Sequence, residues 1–179
     1  MTTQPDRQAA EVRFRSVFAH FGAVNAYARR RGSHDPEALA AEAMAVAWRR
    51  LADVPTDDAR PWLFATARNL LLAEWRQRPC ARTSGQPPVG EAGALDERVA
   101  IDPGVARALA TLSVSDREAL LLIAWEDLSP KLAARALGMS EGAFRVRLHR
   151  ARRRFREALA GPTAPESRPS RPALSMEDR

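Results

Sequence analysis

The chain of 179 residues has one cysteine, Cys80, and one lysine, Lys131. A lone cysteine excludes an internal disulfide and any cysteine-rich zinc site. The three histidines, His20, His34 and His149, are too scattered to form a recognisable metal motif, so no metal is expected. No apolar run approaches the roughly 20 residues of a membrane span, and no signal-peptide-like apolar stretch follows Met1. These absences lead us to expect a cytoplasmic protein in a reducing compartment, with no membrane insertion. There is also no glycine-rich phosphate loop, so no cofactor, no catalytic residue and no enzymatic activity are expected.

Aromatic residues make up only 6% of the chain, and runs that favour strands are missing. What remains is rich in Ala, Leu, Arg and Glu, and with 45% hydrophobic residues it can bury cores. The expected fold class is all-α. The formal net charge is +6 and suits a polyanionic partner, but its distribution is more informative. From Arg145 to Arg156 the basic residues are Arg145, Arg147, Arg150, Arg152, Arg153, Arg154 and Arg156, with no acid among them. A GC-rich coding bias accounts for the use of arginine over lysine as readily as a need for guanidinium does.

Breaks in periodicity set the organisation. Residues 8–78 read as one helical domain, 79–103 as a Pro- and Gly-containing flexible linker, 104–160 as a second helical domain, and 161–179 as a disordered tail. In the first domain, Phe14, Val17, Phe18, Phe21 and Val24 predict one helix from about Ala9 to Arg31, ended by Gly32-Ser33. Asp35 can cap a second helix with Pro36 at its first position, and Leu39, Ala43, Val46, Ala47 and Leu51 form its stripe. A polar loop, Val54 to Arg60, leads to a third helix ending near Gln77, with Trp62, Leu63, Thr66, Leu70 and Trp75 turned inward or toward a partner. In the second domain Ser115 and Glu118 have the spacing of a capping box before the apolar run Ala119 to Trp125.

The stretch Leu128 to Leu148 follows the rules of a helix-turn-helix. Ser129-Pro130 starts a short helix, Ala134 is small where the next helix must come close, and Leu137-Gly138-Met139 makes the turn. Ser140 caps the last helix, whose buried stripe is Phe144, Leu148, Ala151 and Phe155. Geometry then groups Arg145, Val146, His149 and Arg150 on the opposite face. Such a face can enter a major groove, with Arg on guanine and Val146 against a thymine methyl, while later arginines meet phosphates. A solvated amphipathic face is the plain alternative. A helix-turn-helix regulator acting on DNA without polymerase, or a protein-interaction scaffold, also fits these residues.

Taken together, the two blocks resemble an extracytoplasmic-function sigma factor of the sigma-70 family, a promoter-specificity subunit of RNA polymerase. In the second block the matching residues are Leu128-Ser129, Ala134, Leu137 to Gly142 and Arg147 to Arg152, with Leu148-His149-Arg150-Ala151-Arg152 the most specific run. In the first they are Asp35 to Leu39, Glu42-Ala43, Ala47 to Leu51, Pro61 to Phe64 and Ala67 to Asn69. The resemblance implies a sigma-2-like domain and a sigma-4-like helix-turn-helix domain, the two small helical domains being joined by the linker.

It further implies −35 recognition by Arg145, Val146, Arg147, His149 and Arg150. For the −10 element it implies Asn69, Arg68, Arg76 and the loop with Asp57 and Asp58, with Arg78 also near the backbone. For polymerase docking it implies Leu39, Glu42, Val46 and Arg49. Core RNA polymerase, promoter DNA and an anti-sigma factor wedged between the domains are the implied partners. The chain departs from the family pattern at Ala38 and Ala41 in the docking helix, at Pro130-Lys131-Leu132, and at Val146 where a small polar residue is usual. The last departure bears on which promoter sequence is read.

Overall fold

A computed structural model describes residues 4–77 and 102–160, which hold eight α-helices and no strand. In the N-terminal block these are α1 (Gln4–Phe18), α2 (Phe21–Arg30), α3 (Pro36–Arg49) and α4 (Arg60–Gln77), with a single 3-10 turn at Leu51–Asp53. The C-terminal block contains α5 (Pro103–Thr111), α6 (Val114–Ala124), α7 (Pro130–Ala136) and α8 (Glu141–Ala160). Most of the expected linker and all of the expected tail lie outside the described residues.

The single helix expected from Ala9 to Arg31 is two helices, broken at Ala19-His20. His20 leaves the helical region (φ −89°, ψ 4°), and its N–H bonds three residues back to the Val17 carbonyl. The apolar stripe keeps its spacing across the break, so Val17, Val24 and Tyr27 all reach the core and periodicity alone cannot reveal the bend. Gly32, at φ +72°, takes the left-handed conformation that ends α2, and its N–H bonds to the Arg29 carbonyl. Asp35 then caps α3 as expected, its Oδ1 accepting from the Ala38 N–H at 2.9 Å. The inward face of α3 is largely alanine (Ala40, Ala43, Ala47, with Leu39 and Met44), which lets α2 and α4 approach closely.

Two expectations for the second block are corrected. Asp102-Pro103 does not finish a linker. It opens α5, with Asp102 Oδ1 accepting from the N–H groups of Gly104 and Val105, and Pro103 at the first helical position. The cap of α6 is Ser113 rather than Ser115, because the Ser113 hydroxyl accepts from the Asp116 N–H at 3.2 Å. Glu118 is thereby released from a capping box and becomes a buried residue.

The two blocks share one core. A continuous buried cluster runs from Val24, Tyr27, Leu63 and Phe64 through Ala67 and Leu71 to Leu122, Leu128, Ala133, Phe144 and Leu148. Helix α4 packs against α7, and a smaller cluster of Leu109, Leu112 and Leu121 ties α5 to α6 beneath Phe155.

At the centre of the seam is a polar contact. Arg31, at the end of α2 and 8% exposed, donates from Nε and Nη2 to the two carboxylate oxygens of Glu118 at 2.8 and 3.0 Å. Its Nη1 reaches Glu126 Oε1 at 3.0 Å, and Arg30 Nη2 holds Glu126 Oε2 at 2.6 Å. The Tyr27 hydroxyl donates to Glu118 Oε1 at 2.9 Å, and the Arg31 guanidinium stacks 3.5 Å from the centre of the Tyr27 ring. Burial works against the charge on Arg31, but Glu118, Tyr27 and Glu126 outweigh it and keep the guanidinium protonated.

Tyr27 is the only tyrosine in the chain, so its ionisation reports on this seam. Burial, and then the Glu118 carboxylate, raise its phenol well above the ordinary value. A raised acid contributes stability that is complete below the ordinary tyrosine value and is lost as pH rises through the raised one. Near-ultraviolet titration is therefore expected to show no phenolate near pH ~10 in the native protein and ordinary ionisation in denaturant. Ordinary ionisation in both would contradict the seam.

Candidate nucleic-acid interface

The helix-turn-helix forms where the sequence places it. The Ser129 hydroxyl accepts from the Leu132 N–H to start α7, and the Ser140 hydroxyl accepts from the Ala143 N–H to start α8. Between them Gly138 sits at φ +64°, a conformation that costs other residues roughly 1–2 kcal/mol. Ala133 and Ala134 are buried at the crossing of the two helices. Phe144, Leu148 and Ala151 are buried, and Phe155 is half-buried, so the inner face of α8 is as expected.

That packing fixes what α8 offers to solvent. Arg145, Val146, His149 and Arg150 are exposed together, with Val146 at 52% exposure (unusual for a branched apolar side chain), while Arg147 is half-buried. The seven arginines are not equivalent. Arg145 is held by Glu141 one turn back, Arg153 pairs with Glu157, and Arg154 is bound to the buried carboxylate of Asp116 on α6. Arg147, Arg150, Arg152 and Arg156 form no ion pair among the described residues. Their charge is therefore uncompensated at the face where a polyanion would approach.

The N-terminal block presents a second polar surface. The loop before α4 and the inner side of α1 enclose a cleft of about 480 Å³ lined by Arg13, Ser16, His20, Thr56, Asp57 and Asp58, among others. Asp58 anchors it, accepting from the Arg60 backbone N–H at 3.0 Å and from its guanidinium at 2.8 Å. That hydrogen bond is the main reason the Asp58 carboxyl lies below its ordinary range. Asp57 is also lowered, first by the Asp58 backbone N–H and then by Arg135 of α7, whose Nη1 lies 3.2 Å away. Arg135 thus joins the helix-turn-helix to this loop.

Asn69 is exposed on α4, Arg68 is half-buried and Arg76 is exposed near the helix end. None of the three lines the cleft with Asp57 and Asp58. Nine residues separate Arg60 from Asn69, which is about two and a half turns and ~13 Å along α4. Asn69 therefore emerges on the far side of the helix from Arg60. On α3, Glu42 and Arg49 are exposed and Val46 is half-buried, but Leu39 is in the core at 6% exposure. Leu39 cannot present a docking surface, because it forms the inward stripe that its own periodicity indicated.

Sequence reasoning missed Tyr27, Arg31, Glu118, Glu126 and Arg135. Tyr27 and Arg31 read as ordinary residues of an amphipathic helix, Glu118 as half of a capping box and Glu126 as a residue after the apolar run, and only their distant partners reveal them. No helix among the described residues is long and apolar enough to cross a membrane.

Residues 104–155 match the family model for sigma-70, region 4. A protein of Xanthomonas campestris pv. campestris, named a probable RNA polymerase sigma factor, RfaY, is 34% identical over 69% of this chain and 34% of its own length. The chain thus spans about a third of the curated relative it matches. Among solved structures, CnrH in complex with the cytosolic domain of CnrY is 27% identical, with a TM-score of 0.61, and the likeness covers 88% of this chain and 96% of that one. The sigma factor RpoE in complex with the anti-sigma factor NepR from Bartonella quintana is 26% identical, with a TM-score of 0.59, over 83% and 96%. A likeness of this extent takes in both blocks.

Proposed function

We propose that the chain is an extracytoplasmic-function sigma factor of the sigma-70 family, as its likeness to such proteins supports, and that it directs core RNA polymerase to specific promoters from the cytoplasm. It acts as a specificity subunit with no catalysis of its own, and it initiates transcription by reading the −35 element and melting the −10 element. The observation that carries this reading is the exposed face of α8, with Arg145, Val146, His149 and Arg150 held outward by the burial of Phe144, Leu148 and Ala151 inside the matched region.

On that face Arg150 and Arg145 can each make a bidentate contact with a guanine, Val146 can meet a thymine methyl, and Arg147 and His149 flank them. Arg152 and Arg156 lie farther along, toward phosphates. The cleft with Asp57 and Asp58 offers acceptors suited to the amino groups on a base edge, as capture of an extruded base requires. Arg68, Asn69 and Arg76 lie along α4, where a separated strand would pass. Glu42, Val46 and Arg49 form the accessible part of the polymerase-docking face. The complexes of the structural relatives support an anti-sigma factor as a regulatory partner.

Transcription in vitro with purified core polymerase and genomic DNA tests the reading. Added protein is expected to produce transcripts that share an upstream −35/−10 pair, and the absence of any new start would sink it. Replacing Arg145 or Arg150 with Ala is expected to lose about 1–3 kcal/mol of discrimination between the native −35 sequence and a single-base variant. Competition binding of holoenzyme to the two promoters measures it, and unchanged discrimination would remove the assignment. Asn69→Ala is expected to leave promoter binding in place but reduce permanganate reactivity of the −10 bubble. Undiminished reactivity would count against a role for Asn69.

A further inference from the structure

The cleft beside the loop before α4 has two walls, and one of them belongs to α1. Arg13, Ser16, Val17 and His20 form that wall and face Pro55 to Arg60. Val17 is buried, and Arg13 stands one turn before it on the same side of the helix, so the packing of Val17 aims Arg13 at the loop. The Arg13 Nη2 donates to the Val54 carbonyl at 2.5 Å, across 41 positions of sequence. The preceding section gives this loop the capture of an extruded base, and the inference here rests on that reading.

The two ends of the loop are fastened differently. The end next to α4 is fixed by its own neighbours. Asp58 accepts from the Arg60 N–H and guanidinium, and the Ala59 carbonyl accepts from the Leu63 N–H at 2.9 Å, in the first turn of the helix. At the other end the Val54 side chain is buried and its carbonyl is held by Arg13, from a different helix. Thr56 and Asp57 are exposed between the two anchors.

The effect of holding this carbonyl follows from the residue after it. A peptide group is planar, so fixing the Val54 oxygen orients the whole Val54–Pro55 unit. The ring of Pro55 then sets its own φ at about −65°. Val54 already has the extended backbone that a following proline favours, with φ −71° and ψ 124°. One soft dihedral, the ψ of Pro55, is left before Thr56. The direction in which Thr56 and Asp57 enter the cleft is therefore set largely from Arg13. A charged donor suits this task, because its hydrogen bond is roughly twice as strong as a neutral one.

We propose that Arg13 is a positioning residue for promoter recognition, whose bond to the Val54 carbonyl holds the loop in the shape that selects the base taken up beside Asp57 and Asp58. It acts through the loop and not by touching DNA.

The test compares the full chain with Arg13→Met, which keeps the apolar length of the side chain, and Arg13→Lys, which keeps a charged donor. Arg13→Gln takes the place of Arg13→Met should the latter lose helix by circular dichroism. In the free proteins, hydrogen exchange at the Thr56, Asp57 and Asp58 amides is expected to quicken by about tenfold without the donor. It is expected to return close to the wild-type rate in Arg13→Lys, with the amides of α8 unchanged throughout. Holoenzyme is then bound to four versions of a native promoter, one for each base at the extruded −10 position. Selectivity among them is expected to fall on the order of tenfold in Arg13→Met and to recover in Arg13→Lys, while discrimination at −35 stays at the wild-type level.

Unchanged exchange in Arg13→Met would overturn the positioning role, and so would faster exchange with an unchanged base ratio. Equal weakening on all four promoters would overturn it as well, since that is the mark of a phosphate contact. Faster exchange in α8 along with the loop would reduce Arg13 to a general fold contact. A wild type that does not distinguish the four bases would overturn the base-capture reading itself, and the proposal with it.

Discussion

The arrangement of this molecule depends on where one guanidinium is buried. Arg31 could end α2 in solvent, as an arginine after a helix usually does. Instead it is enclosed between Glu118 and Glu126, with the Tyr27 ring against it. A charge removed from water in this way is tolerable only if every donor is met, and its Nε and both terminal nitrogens are. Meeting them requires α6 and the turn after it to lie against α2. That placement brings α7 onto α4 and leaves the basic face of α8 directed outward. The relation between the outward face of α8 and the surface along α4 thus follows from satisfying a few buried hydrogen bonds.

Alanine has a complementary part. Ala40, Ala43 and Ala47 on α3, Ala67 on α4 and Ala133 and Ala134 on α7 are all buried at helix crossings. Small side chains bring backbones close but contribute little apolar area each, roughly 25 cal/mol per Å² removed from water. Where α4 meets α7, Ala67, Ala133 and Ala134 let the helices approach, and Leu63, Phe64, Leu71, Leu122 and Leu128 fill the core that continues across the two blocks.

Local signals made much of this legible in the sequence. Asp35-Pro36, Ser129-Pro130 and Ser140 mark helix starts through hydrogen bonds formed within three residues, and Gly138 marks a turn through its own backbone freedom. The outward face of α8 followed from the spacing of Phe144, Leu148 and Ala151. The break at His20 did not show, because the apolar register continues across it. Ser113 and Ser115 compete for the same cap, and only the observed bond to Asp116 separates them. Leu39 belonged at once to an apolar stripe and to an implied docking face, and packing decided for the stripe. The Arg31 site was illegible because its partners lie 87 and 95 positions away.

The central claim is that the two blocks are held together by the contact of Arg31 with Glu118 and Glu126. Paired spin labels test it most directly, placed at the exposed positions Arg29 on α2 and Arg156 on α8, with Cys80 replaced by Ser. Double electron–electron resonance is predicted to give one short, narrow distance in the otherwise native protein and a broad one when Arg31 is replaced by Ala. The same narrow distance in both proteins would contradict the account.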